Sequence, residues 1–328
     1  MTLPVTVVVP AYRAADTLAR ALASARGQEP SRPAEILVVD DGSQDGTADL
    51  ARECGATVLV HQHNRGLAAA RNTAVAAATQ PWLAFLDADD EWLPHHLATL
   101  WPLREGHDLV AGSAIVWDPV ARRARYHGPV RTRELAPSSP VALLATENYI
   151  AISAALARTD AVRAAGAFRP YAAVEDLDLW ARLLTAGSAV VVPAVTIVYH
   201  IHPGQMSADE RAVQGAHLRV IDAHAGAPWW NPTLSERYHG TLAWHRAALA
   251  FRAGRPRQGT GILARALANP VRARGLLTFL ARRLRVRREA AHWDLTGARD
   301  GSPPLEAAAQ AAAKVSTRAA RHGLHPHV

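Results

Sequence analysis

Cysteine is almost missing from this chain: Cys54 is the only one in 328 residues. No intrachain disulfide can form, so the fold must rest on packing, and a reducing compartment fits. Lysine is nearly absent too, so almost all of the positive charge behind the net +7 is arginine. High arginine with high alanine is a bias that coding alone can produce, so the basic balance does not by itself argue for a nucleic-acid partner. Long apolar runs are also lacking. The longest, Ala189 to Ile201, contains Pro193 and falls short of the ~20 residues a membrane span needs. The chain opens directly on a strand pattern, with no sign of a signal peptide, and we expect a cytoplasmic protein, at most peripheral to the inner face of a membrane. No GxGxxG or GxxxxGK[ST] stands at a strand end, which argues against dinucleotide and P-loop binding. We find no internal repeat.

The 49% apolar and 20% charged residues are a globular composition. At this length a single core usually stops growing, roughly at 250–300 residues, so we expect one main α/β domain and a smaller appended part. The most informative stretch is Trp82-Leu83-Ala84-Phe85-Leu86-Asp87-Ala88-Asp89-Asp90. A short continuous apolar run reads as a strand buried on both faces, as in a parallel sheet. Ligands of open α/β folds bind outside the carboxyl ends of such strands. Three carboxylates there repel one another unless a cation or hydrogen-bond donors neutralise them. Mg²⁺ takes one or two carboxylates together with substrate phosphates. The alternative is a strand leading into the acidic N-terminus of a helix.

The earlier part of the chain alternates strands with helices. Val5–Val9 is a first strand. Asp16 can cap a helix over Thr17–Arg26, which Gly27 stops. Glu35–Val39 is a second strand, again ending in carboxylates, Asp40-Asp41-Gly42-Ser43. Ala56–Val60 is a third strand, and Leu67–Ala78 a helix carrying Arg71 and Asn72. This alternation implies βαβ units and a parallel sheet. Beyond Pro94 we expect strands at Asp108–Val116, Ile150–Leu156, Ala189–Val192 and Thr196–Val198. Arg122–Pro140 reads as a mobile loop and Thr159–Ala165 as a short helix. Leu177, Trp180, Leu183 and Leu184 share one helix face, which sets Glu175 and Asp176 at that helix's N-terminus. From about residue 208 helices are expected at Ala208–His224, Thr241–Ala253 and Gly259–Ala268, and an Ala-rich stretch after Ser302 is expected to fray.

Five stretches occur in one order: Val7-Val8-Val9-Pro10-Ala11-Tyr12, Val38-Val39-Asp40-Asp41-Gly42-Ser43-Gln44-Asp45-Gly46-Thr47, Asn64-Arg65-Gly66-Leu67-Ala68-Ala69-Ala70-Arg71-Asn72, Phe85-Leu86-Asp87-Ala88-Asp89-Asp90 and Glu175-Asp176. Together they resemble the family 2 glycosyltransferases, inverting enzymes of the GT-A fold. The chain departs from the family in Arg13, where Asn is usual. The resemblance covers about residues 4 to 207. It implies a Rossmann-like nucleotide-sugar-binding half over residues 1–112, an acceptor-binding half over 113–207, and a helical, Arg-rich region over 208–328 outside it.

The resemblance also implies roles. Pro10, Ala11 and Tyr12 belong to the nucleotide side, where the Tyr12 ring can stack on a base. The plain alternative for Tyr12 is a surface aromatic closing a strand. Asp40 and Asp41 are assigned to the nucleotide, as acceptors for a uracil N–H or a ribose hydroxyl, although Asp-Gly-Ser is good turn chemistry without any ligand. Arg71 can contact base or phosphate, or be a solvated helix charge. Asp87 and Asp89 flank Ala88, so on an extended chain they share a face. Asp87 is implied at the ribose and metal, and Asp89 as ligand to Mg²⁺ or Mn²⁺. His202 is a candidate further ligand or phosphate contact. Asp90 and Glu91 read as structural. Inversion requires a carboxylate to take the acceptor proton, for which we select Asp176, with Glu175 as neighbour or substitute. Both can equally be a helix cap.

The function expected is metal-dependent transfer of a sugar from a nucleotide donor, UDP-linked, to an acceptor hydroxyl on a glycan, lipid-linked or small molecule. A nucleotidyltransferase is disfavoured because Pro10-Ala11-Tyr12-Arg13 lacks the glycines its phosphate loop needs. A nucleic-acid-binding protein is suggested by Arg252–Arg288, which holds eleven arginines and no acidic residue. That run lacks stacking aromatics between its charges, so no nucleic acid is expected. Its Leu276, Leu277, Leu280 and Leu284 stripe beside arginines instead fits a helix on an anionic membrane surface, or packing on the catalytic domain.

Overall fold

The computed structural model describes residues 1–121, 123–129, 131–136, 148–171, 173–206 and 209–290. β1 (Thr2–Ala11), β2 (Arg32–Asp40), β3 (Thr57–Val60) and β4 (Trp82–Phe85) pair in parallel, in the order β3-β2-β1-β4. They alternate with α1 (Leu18–Arg26), α2 (Thr47–Glu53) and α3 (Leu67–Ala77). Val5, Val7, Val8 and Val9 are fully buried because helices cover both faces, as an all-parallel sheet requires. Ala11 lies level with Asp40 and Val8 with Phe85, so all three strands deliver their following residues to one edge.

The sheet then changes direction. β9 (Ala155–Arg158) runs antiparallel between β4 and β6 (Leu109–Asp118), and β6 pairs in parallel with β10 (Ala189–His200). β5 (Glu91–Trp92) closes the far edge, while β7 (Arg123–His127) pairs β6 and β8 (Arg133–Leu135) pairs β10. One sheet therefore spans both expected halves, and residue 112 lies inside β6. α4 (His96–Leu100) packs with α1 on one face. α3, α5 (Thr159–Ala164) and α6 (Glu175–Ala186) cover the other, and α7 (Glu210–Ala223) and α8 (Thr233–Arg252) join that same core.

Several boundaries differ from expectation. The first helix has Thr17 at its cap with no side-chain bond, so Asp16 does not cap it. Ile150–Leu156 is not one strand: Ile152–Ala154 forms a 3₁₀ turn and the strand begins at Ala155. Ala189–Val198 is one strand, whose register slips around Pro193; a bulge absorbs the missing N–H donor. Within the expected loop at Arg122–Pro140, β7 and β8 are ladder strands; residues 122, 130 and 137–140 lie outside the described residues, as do Ala208 and everything after Ala290. α8 begins eight residues before the expected Thr241.

α8, α9 (Pro256–Ala268) and α10 (Pro270–Ala290) form a helical cluster. α8 and α10 cross at Gly240 and Gly275. A Cβ at Gly240 would lie 1.9 Å from the Arg272 carbonyl oxygen, and one at Gly275 1.9 Å from that of Arg237. Only glycine permits so close an approach. The crossing turns Leu276 and Phe279 inward, and Leu280 packs partly against the same contact. Leu277 and Leu284 remain 56% and 58% exposed, so the leucine stripe is divided between packing and solvent.

Candidate active site

The loops after β1 and β2 tie one another down. Asp40 accepts from the Ser43 N–H (3.0 Å), and the Ser43 hydroxyl accepts from the Arg13 N–H (2.8 Å). Arg13 sits at φ 50°, the left-handed region that Asn enters most easily, so the turn keeps the form the usual residue favours. Its guanidinium lies 5.2 Å from the centre of the Tyr12 ring. Tyr12 is 43% exposed beyond the buried Pro10 and Ala11, which leaves a ring surface open to stacking.

Asp41 is differently placed. Its carboxylate meets His61 Nδ1 (2.6 Å) and accepts from the N–H groups of Arg65 (2.9 Å) and Gly66 (2.8 Å). These two residues lead into α3, so Asp41 fixes the loop from which that helix starts, where a negative charge is favoured. Both adjacent aspartates are buried, and Asp41 meets two backbone donors and an imidazole where Asp40 meets the Ser43 N–H.

The carboxylates of Asp87, Asp89 and Asp90 offer oxygens within 4.8 Å of one another. Asp90 is buried and accepts from the Ser153 hydroxyl (2.5 Å) and the His200 N–H (3.2 Å). The Ser153 hydroxyl in turn accepts from the Asp87 N–H (3.1 Å). Asp89 meets His202 Nε2 at 2.7 Å, and Arg20 donates to its carbonyl (2.8 Å). Burial raises the pKa of Asp87, with Asp89 adding to it and Arg71 opposing it. Burial and then Asp89 and Asp87 push Asp90 well above the carboxylate range. Carboxylates so close repel one another, which a cation among them would relieve. Ala88 lies buried between them.

Arg71 is not a solvated helix charge. It is 1% exposed, its Nη2 donates to Asp87 (2.6 Å), and its Nη1 donates to Glu175. Burial works against its charge, yet the two carboxylates hold its pKa above the usual arginine range. Glu175 opens α6 and is buried against this guanidinium. Its neighbour Asp176 accepts from Asn148 Nδ2 (2.8 Å) and from the Leu177 N–H (2.7 Å). Burial, reinforced by Glu175, raises the pKa of Asp176 to about 7. A carboxylate with that pKa can take up or release a proton near neutrality. Val174, which precedes the helix, has φ 57°, strained for a β-branched residue and of the kind that gathers at functional sites.

Three residues of this arrangement escaped the sequence reading. Ser153 and Asn148 are isolated polar residues whose partners lie 63 and 28 positions away, so no local pattern marks them. Asp178, fully buried, meets Arg182 (2.7 Å) and His224 Nε2 (3.0 Å). The Arg182 pairing, at i,i+4 on one helix, was open to a spacing argument.

Comparison with known proteins bears on the family and the fold. The profile of Glycosyl transferase family 2 matches residues 6–155. The pre-mycofactocin glycosyltransferase of Mycobacterium tuberculosis is 33% identical over 218 residues, 62% of this chain and 43% of that protein. Succinoglycan biosynthesis protein ExoU of Rhizobium meliloti is 39% identical over 131 residues, 38% of this chain and 37% of that one. The chain thus spans less than half the length of these curated relatives. Among solved structures, S. aureus TarS 1–349 in complex with UDP-GlcNAc superposes with a TM-score of 0.59 at 17% identity, covering 99% of this chain and 93% of that one. The mannosyltransferase PcManGT from Pyrobaculum calidifontis, in complex with GDP-Man and Mn²⁺, gives 0.58 at 20% identity, covering 99% and 88%. At those identities the likeness concerns the fold. Residues 6–155 thus match the model of glycosyltransferase family 2, and the fold is that of the GT-A-like neighbours.

Proposed function

We propose that this protein is an inverting glycosyltransferase that moves a sugar from a nucleotide donor, UDP-linked, to an acceptor hydroxyl on a glycan, lipid-linked or small molecule. The observation that carries the reading is the single buried guanidinium of Arg71, which joins Asp87 at the donor edge to Glu175 beside Asp176. It ties the acidic strand end and a carboxylate of near-neutral pKa into one site.

Tyr12 offers a stacking face, and Asp40 an acceptor for a base N–H or ribose hydroxyl. Asp41 supports the site by holding α3. Carboxylate oxygens within 4.8 Å, with an imidazole alongside, suit Mg²⁺ or Mn²⁺. Asp90 is committed to Ser153 and His200, so Asp87 and Asp89, with His202, would hold the ion. When bound, the cation offsets charge developing on the leaving diphosphate. Asp176 takes the acceptor proton as the new C–O bond forms. Asn148 and the Leu177 N–H orient its carboxylate, and burial keeps it basic enough to do so.

A thermal-shift panel tests this reading: UDP-glucose, UDP-galactose, UDP-N-acetylglucosamine and GDP-mannose, each with and without Mn²⁺. We expect a Mn²⁺-dependent rise for at least one UDP-sugar. No shift with any UDP-sugar, or a shift with GDP-mannose alone, contradicts the UDP assignment.

The exposed Leu277 and Leu284, beside exposed Arg274 and Arg283 on α10, support a peripheral contact with anionic lipid. Sedimentation with anionic but not neutral vesicles is expected; equal recovery with both, or none with either, removes it. Among the described residues no helix is long and apolar enough to cross a membrane.

A further inference from the structure

We propose that His224 and Trp229, in the connection between α7 and α8, are positioning residues that hold α6 and, through it, Asp176 at the site. On this account the helical region from Glu210 onward completes the acceptor side. The inference rests on Asp176 being the proton acceptor.

The first turn of α6 carries Glu175 and Asp176, and the helix goes on through Asp178, Arg182 and Thr185. Steps of four and three residues place those last three on one stripe. The α7–α8 connection lies along that stripe. His224 Nε2 meets Asp178 Oδ1 (3.0 Å), and Trp229 Nε1 donates to Thr185 Oγ1 (2.8 Å). The two rings also face each other, with centres 5.1 Å apart. Tight turns shape the connection: the Ala225 N–H donates to the Asp222 carbonyl, the Ala227 N–H to the His224 carbonyl, and the Trp230 N–H to the Ala227 carbonyl. Trp229 is buried in the same core as Leu177, Trp180 and Leu184 of α6.

Asp178 gives this contact its weight. It is fully buried and follows Asp176 by two residues, within one turn. Burial raises its pKa, but the His224 hydrogen bond, then Arg182 and Arg169, hold it below the usual carboxylate value. It is therefore a charge kept in the interior by its partners. Arg182 takes Oδ2 (2.7 Å), while Oδ1 has His224 and, at 3.5 Å, the half-exposed Arg169. A buried charge stripped of a partner is strongly unfavourable, so it moves toward water or draws water in. Either response shifts the part of α6 that carries Asp176. Arg182 also donates to the Ala165 and Ala167 carbonyls, which ties α6 to the segment before it. His224 and Trp229 tie it to the helical region. Position matters because a misplacement of about 1 Å costs on the order of 10²-fold in rate.

The test reads three quantities on the full chain. They are calorimetric binding of UDP with Mn²⁺, UDP release with water as acceptor from the UDP-sugar giving the largest thermal shift, and the pH profile of that release. His224→Ala should slow release roughly 10–100-fold with UDP affinity within about twofold of wild type. The groups that face Asp176, namely Glu175, Arg71 and Asn148, stay in place. Water admitted near Asp176 relieves its burial, so the acid-side fall in rate should move below that of wild type. His224→Gln, whose amide can donate to Asp178, should recover most of the rate and return the profile. Trp229→Phe keeps a ring but loses the N–H; it should slow release with UDP affinity kept, and it carries the test should His224→Ala fail to fold. His224→Ala placed on Asp176→Asn should slow release no further. Unchanged rate in His224→Ala and Trp229→Phe beside a crippled Asp176→Asn overturns the positioning role alone. So does a loss of UDP affinity that matches the loss of rate, a His224→Gln as slow as His224→Ala, or independent, multiplying effects of His224→Ala and Asp176→Asn. Normal release in Asp176→Asn overturns the proton-acceptor reading and the positioning role together.

Discussion

Two acidic clusters, Asp87-Ala88-Asp89-Asp90 and Glu175-Asp176-Leu177-Asp178, share a plan and differ in one partner. In each, one carboxylate is buried into the scaffold: Asp90 on Ser153 and His200, Asp178 on Arg182 and His224. In each, one pairs with Arg71: Asp87 and Glu175. In each, one that is not paired with Arg71 is left partly exposed at the site: Asp89 and Asp176. The contrast lies in what that last carboxylate meets. Asp89 meets an imidazole on a strand end and shares its space with two other carboxylates, an arrangement for sharing a cation. Asp176 meets an amide and a backbone N–H on a helix start, and is raised to about 7, an arrangement for handling a proton. On the proposed reading, similar residue types are divided between binding and proton transfer by the element that carries them and the neighbour that meets them.

The comparison can be broken most sharply by removing one exposed carboxylate at a time. Asp89→Ala should abolish Mn²⁺-dependent UDP binding measured by calorimetry, whereas Asp176→Ala should keep it; equal loss in both would erase the distinction. The buried members should differ from the exposed ones in kind. Asp178→Asn leaves Arg182 without its buried partner, and breaking a buried pair costs about 3–5 kcal/mol, so its denaturant midpoint should fall well below wild type. An unchanged midpoint would mean that Asp178 does not hold α6 to α7.

The pH dependence sharpens the contrast further. The pKa of Asp176 is raised to about 7 mainly by burial, and only the ionised form accepts a proton. Turnover should therefore fall roughly tenfold per pH unit below that point; a profile flat down to pH 5 contradicts the assignment. The stability effect has the opposite sense. Between the unfolded pKa and the raised folded one, the native state binds more protons than the unfolded chain, so this group's contribution declines as pH rises through that window and stays lost above it. Asp176→Asn should melt higher than wild type at pH 8, and that difference should vanish near pH 3.

The acidic edge of the parallel strands was legible in the sequence because its physics is local. Buried parallel strands read as unbroken apolar runs; Val5–Val9 stops at Pro10, while Ile36–Val39 and Trp82–Leu86 stop where carboxylates begin. The carboxylates' separate duties were not legible, because they depend on partners far along the chain. Nothing near Asp41 announces that Arg65 and Gly66 will occupy it, and nothing near Arg71 announces its burial between Asp87 and Glu175. The strand at Ala189–His200 was divided in reading by Pro193, which only a neighbouring strand's bulged register accommodates. β7 alternates only Ala124 and Tyr126 with basic residues, and β8 is three residues long, patterns too short to mark strands. In the helical region, the close crossing at Gly240 and Gly275 decides which leucines face inward, and helical spacing alone leaves that choice open.

The division of labour between the two clusters is tested most directly by measuring turnover and UDP–Mn²⁺ affinity together in Asp176→Asn. Asparagine keeps the size of the side chain but cannot take the proton. Turnover should fall by about 10²–10⁴-fold while UDP–Mn²⁺ affinity stays within about twofold of wild type. Near-normal turnover in Asp176→Asn, or a loss of UDP–Mn²⁺ binding that matches the loss of rate, would contradict it.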